Sequence, residues 1–143
     1  MHKKIATLLL PLLLASSVQS DEEIHPSFGN IMLEFGTRYS TLYYSAKADN
    51  YQLANYQLHE LKEALEVAEH IRPKYEKKLK RFEHLHLQKL ENALKKRNFT
   101  IFKKVYFRGL QACNECHTQT GHPYIRYKLP QHGVLFLEMQ LQR

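Results

Sequence analysis

The residues with the most chemical content are Cys113, Asn114, Glu115, Cys116 and His117, a C-x-x-C-H run near the C-terminal end of the chain. Its spacing has a specific use. Two thiols three positions apart lie on one helical turn, so each can add to a vinyl group of the same porphyrin. His117 then falls beneath the iron, where an imidazole nitrogen serves as axial ligand. The pentapeptide predicts one haem c, held covalently through Cys113 and Cys116 and ligated by His117.

Three plainer uses compete with this one. A thioredoxin-like dithiol expects a βαβ setting, and no alternating strand pattern runs through the chain. A zinc site from Cys113, Cys116, His117 and His122 lacks the usual second ligand pair from a separate segment. A simple disulfide is the third, since these are the chain's two cysteines. The adjacent histidine and an export signal favour haem over all three.

That signal occupies residues 1–20. Lys3 and Lys4 form a basic start, Ile5 to Ala15 an apolar run, and Val18-Gln19-Ser20 a small-residue cleavage site. The run is shorter than the roughly 20 apolar residues a bilayer span needs. It predicts export to the periplasm, cleavage after Ser20, and a single domain over 21–143. Of the 21 Lys and Arg residues two lie in the leader, which leaves 19 against 14 Asp and Glu, a formal +5. Such a surplus suits docking on an acidic redox partner protein. Scattered among acids and without interleaved aromatics, it does not read as a nucleic-acid surface.

Four helical stretches must position the motif. Between Thr37 and Asn98 the only Gly or Pro is Pro73. Met32, Phe35, Gly36, Tyr39, Leu42, Tyr43 and Ala46 form an apolar stripe on a first helix, about 27–48. Asp49 with Gln52 resembles a capping box opening a second, about 50–71. Pro73 suits the first turn of a third, about 73–97, with Tyr75, Leu79, Phe82, Leu90, Ala93 and Leu94 as its seam. Asn98 or Thr100 caps a fourth, about 99–118, and Gly121 stops it. These segments predict an all-α, antiparallel up-down-up-down four-helix bundle with its haem near the C-terminal end and a short extension beyond.

In that topology the start of helix one and the end of helix four share one end of the bundle. Met32 is thereby the expected second axial ligand, its soft thioether suited to iron. His25, His132 and Met139 are the alternatives. His59, His70, His84 and His86 read as solvent-facing residues on polar faces. Gly36 would let a haem plane approach helix one, or allow tight helix packing. Arg38 and Arg126 are candidate partners for propionates, and Tyr124 with Ile125 would cover the haem edge.

With C-x-x-C-H ending a fourth helix and a Met opening the first, residues 27–120 resemble the class II c-type cytochromes, the four-helix-bundle group that includes cytochrome c-prime and its low-spin relatives. The resemblance implies Cys113 and Cys116 as thioether anchors, His117 as proximal ligand and Met32 as distal ligand. It implies a periplasmic electron carrier and not an enzyme, with a homodimer possible. The alternative is a five-coordinate haem that binds nitric oxide or carbon monoxide. A peroxidase would ask for a distal His or Arg over open iron, and no residue is assignable to that role. The 26 residues after His117 depart from the class II pattern, whose chains usually end soon after the motif.

Overall fold

The computed structural model of the chain describes residues 26–133. Residues 1–20, read above as an export signal, lie outside the described residues, as do His25, Met139 and the tail from Val134. Everything described is helix, turn or coil, with no strand among these residues. Helix α1 spans Phe28–Lys47 and is capped by Ser27, whose hydroxyl accepts from the Asn30 N–H. Helix α2 spans Tyr51–Ile71. The third rod is composite: a 3-10 turn at Pro73–Tyr75, α3 at Glu76–Phe82, a π turn at Glu83–Leu87 and α4 at Gln88–Lys95. Helix α5 spans Phe99–Gln119 and carries the C-x-x-C-H run in its last two turns.

Two local expectations need correcting. Asn50, not Asp49, caps α2, its side chain accepting from the Leu53 N–H. Asp49 instead takes the left-handed turn between the helices, with φ 62°, a conformation Asp tolerates better than most residues. The third rod is also not one regular helix. Its seam steps from Phe82 to Leu87, five positions, where an α-helix repeats every three or four. The π turn absorbs the extra residue and keeps fully buried Leu87 in line with Leu79, Leu90 and Leu94. It also leaves His86 half-buried against Phe82, ring centroids 5.1 Å apart, and not on a solvated face. Asn98 does cap α5, accepting from the Ile101 N–H, and Gly121 follows that helix at φ +84°.

The core is built from one apolar stripe on each rod. Phe35, Tyr39, Leu42, Leu61, Leu65, Leu90, Leu94, Phe102 and Tyr106 are all buried in one cluster. Helix α1 packs along α2, and α5 against α4 and the π turn. An aromatic column, in which Tyr39 stacks on Tyr106 at 4.5 Å and Phe99 on Phe102 at 6.0 Å, joins α1 to α5. No helix among the described residues is long and apolar enough to cross a membrane.

One ion pair clips α2 to α4. Glu91 accepts from Lys62 Nζ at 2.7 Å and meets Lys95 Nζ at 2.7 Å on its other oxygen. Those two ammonium groups hold its carboxyl down to about 2. Because the folded value lies below the unfolded one, this stabilisation is present above about pH 4.5 and is lost as pH falls toward 2. Glu91→Gln should therefore lower the urea unfolding free energy by about 1 kcal/mol at pH 7, discounted for partial exposure, and by little at pH 2. Equal losses at both pH values would refute the assignment.

Candidate functional site

A cavity of about 730 Å³ opens at one end of the helical array. That size falls inside the roughly 300–1,000 Å³ typical of small-molecule and cofactor sites. Five stretches of chain line it: the first turns of α1, the end of α2 with the Pro73 turn, α3, the last turns of α5, and the segment after α5 through His122, Ile125 and Tyr127. Phe28, Phe35, Leu65, Tyr75, Leu79 and Phe82 make its apolar walls. Phe28 and Tyr75 brace the mouth, ring centroids 5.3 Å apart.

The chemistry-bearing residues converge here. Cys113, Cys116, His117 and Met32 all line this one cavity, although Met32 and His117 are 85 positions apart in the chain. Cys113 is buried at the end of the buried α5 stripe, one turn past Gly109. Cys113 and Cys116 form no disulfide with each other. Burial pushes the Cys113 thiol up to about 12, and burial also raises that of Cys116. Burial thus favours the neutral thiol form at both positions.

His117 is oriented by the chain just beyond it. Its Nδ1 lies 2.9 Å from the Ile125 carbonyl oxygen. A carbonyl can only accept, so Nδ1 carries the proton and donates, leaving Nε2 with the unshared pair. That is the tautomer and second-shell arrangement which metal-ligating histidines usually adopt. Thr120 closes the helix above it, the hydroxyl donating to the Cys116 carbonyl at 2.8 Å.

Among the described residues no three His, Cys, Asp or Glu side chains are grouped to hold a bare metal ion. A four-ligand zinc centre from Cys113, Cys116, His117 and His122 is thus not assembled.

Several expected site residues sit elsewhere. Arg38 is held on the α1–α2 surface by Glu34 at 2.7 Å and Glu60 at 3.1 Å and does not line the cavity. Arg126 lines a separate polar hollow with Gln111, Asn114 and Glu115. Tyr124 is 78 % exposed and touches His122, not the cavity. Ile125 does line it. Gly36 makes a close approach, but to a side chain: a Cβ there would lie 2.9 Å from Tyr127 Cζ. His132 is exposed.

The cations at the cavity are instead Arg72, Lys74 and Lys78, and among the described residues no acidic one lines it. They flank Pro73, at the turn that the bundle topology already assigns to this end. Their position beside Pro73 is the sequence signal for them, whereas no repeat or motif marks Tyr127.

No family model, no curated protein and no solved structure matches the chain.

Proposed function

We propose that the chain is a class II-like monohaem c-type cytochrome, exported to the periplasm, that passes single electrons between redox partner proteins. The observation that carries this reading is the meeting of Cys113, Cys116, His117 and Met32 at one apolar cavity. The donor set fits the group. Two thiols of a C-x-x-C-H run, an imidazole with Nδ1 committed to a carbonyl, and a thioether suit covalent haem with His/Met ligation. The Arg72, Lys74 and Lys78 side chains at the same cavity suit a pair of propionates. An up-down-up-down order accounts for the four helical stretches, from alternate helix ends, lining one cavity.

When bound, haem supplies a one-electron ferric/ferrous couple. The protein's residues do the rest. Cys113 and Cys116 would anchor it, His117 and Met32 would hold its iron, and the Phe28, Phe35, Leu79 and Phe82 walls would exclude water. Thioether ligation and low polarity both favour the reduced state, which raises the potential. No protein acid or base is needed for such transfer.

The test is an optical spectrum of the protein made in cells that mature c-type cytochromes. The expected result is a six-coordinate low-spin haem that Met32→Ala converts to high spin. A five-coordinate wild type that readily takes up carbon monoxide would replace the carrier by a gas-binding protein. A low-spin spectrum that survives Met32→Ala would move the ligand to His25, His132 or Met139.

A further inference from the structure

The segment after the motif runs as turn and coil from His122 to Pro130, yet it is tied down at several points. The His122 N–H donates to the His117 carbonyl at 2.8 Å, and the Ile125 N–H to the His122 carbonyl at 3.0 Å. Asn114 then grips Tyr127 from both sides. Its Oδ1 accepts from the Tyr127 N–H at 2.7 Å, and its Nδ2 donates to the Tyr127 carbonyl at 3.0 Å. Asn114 is a spacer position of C-x-x-C-H, whose type the attachment chemistry leaves open. Here it supplies one acceptor and one donor in the pattern a neighbouring strand would offer.

Gripped this way, Tyr127 bridges two helices. Its hydroxyl donates to the backbone carbonyl of Met32. Its ring lies edge-on to the His117 imidazole, centroids 5.2 Å apart at 88°. It also fills the notch over Gly36, where any Cβ would collide with it. The same turn of chain holds the Ile125 carbonyl against His117 Nδ1. One side chain thus contacts the α1 turn bearing Met32 and the ring of His117. Farther out, the Tyr44 hydroxyl donates to the Pro130 carbonyl and fixes the outer end of the segment to α1.

We propose that Tyr127, locked by Asn114, is a positioning residue that sets the spacing and orientation of His117 and Met32, with residues 122–130 acting as a strap across the haem end. The inference rests on the haem reading above. Its consequence is that the strap, and not helix packing alone, keeps the Met32 thioether in place against competing ligands. Losing second-shell contacts of this kind typically weakens a metal site roughly 10- to 100-fold.

The test compares wild type, Tyr127→Phe, Asn114→Ala and Tyr44→Phe, all matured with haem. The readouts are the equilibrium affinity of the ferric protein for imidazole and the reduction potential. Tyr127→Phe keeps the ring and removes only the hydroxyl. Imidazole affinity should rise roughly tenfold or more in both Tyr127→Phe and Asn114→Ala, with a shifted potential. Tyr44→Phe, which loosens the strap about three turns along α1 from Met32, should match wild type. If Asn114→Ala does not fold, as judged by helical circular dichroism, Tyr127→Phe decides. Unchanged affinity and potential in haem-loaded Tyr127→Phe overturn the inference and leave the cytochrome reading standing. Equal shifts in all three variants, or a five-coordinate wild type, also overturn it. A wild type without haem removes the cytochrome reading itself, before any variant is compared.

Discussion

On the cytochrome reading, Cys113→Ala with Cys116→Ala should abolish haem retention under denaturing conditions, from full occupancy in wild type to none. The reasoning is covalent, not energetic. Non-covalent haem would leave an unfolded chain, because the apolar walls and the candidate iron ligands come together only while the five lining stretches do. Two thioether bonds survive unfolding. The substitutions remove only sulfur from side chains on the last turns of α5, and alanine is the best helix former, so the helix itself persists. Haem staining of a denaturing gel, with acid–acetone extraction beside it, reads the result directly. A stained band that persists in the double variant would place the attachment elsewhere and sink the assignment of these two sulfurs. Each single variant should keep the band through its remaining bond.

Gly109→Ala should lower stability by about 3 kcal/mol. Gly109 lies on the buried face of α5, one turn before Cys113. A Cβ there would stand 2.2 Å from the Tyr39 hydroxyl oxygen and 3.3 Å from Cζ. Tyr39 cannot step aside. It is 1 % exposed, stacked on Tyr106 at 4.5 Å and on Phe35 at 6.0 Å. Its hydroxyl donates to the Tyr106 carbonyl at 2.9 Å. Overpacking of this severity costs about 3 kcal/mol at the upper end of its usual range. Losing the hydrogen bond adds about 1 kcal/mol, and the better helix propensity of alanine returns about 1 kcal/mol. For a domain near 100 residues the net loss lowers Tm by roughly 12–24 °C.

The companion variant makes this decisive. In Tyr39→Phe/Gly109→Ala the offending oxygen is gone and the nearest remaining atom is Cζ at 3.3 Å. That contact is tight, but a small shift relieves it. Most of the lost stability should return, so the double variant is more stable than Gly109→Ala alone. Additive losses would show that Tyr39 and Gly109 do not meet as described. Thermal unfolding of all four proteins, each loaded with haem, measures the coupling.

Much of this was written locally. The stripes of α1, α2 and α5 follow from apolar residues three and four positions apart, and such periodicity is a property of neighbours in the chain. Ser27, Asn50 and Asn98 cap through side chains that reach only three residues ahead. Asp49 misled because Asp and Asn are both good caps and sit side by side. The π turn was harder still. An α-helical template has no place for the five-residue step from Phe82 to Leu87, so only packing against α5 and α2 reveals it.

The amino-acid sequence alone determined the number of helical stretches and the pairing of Met32 with His117 as residues of one end. These rest on spacing within a turn and on short connections, both of which are local quantities. Only the tertiary structure decided that Arg72, Lys74 and Lys78 line the cavity while Arg38 is spent on Glu34 and Glu60. It alone put Tyr127 in the Gly36 notch and Asn114 on Tyr127. Residues 122–130 have no repeating pattern to betray their path. Coil is placed by hydrogen bonds to distant partners, and those partners are known only once the helices have packed.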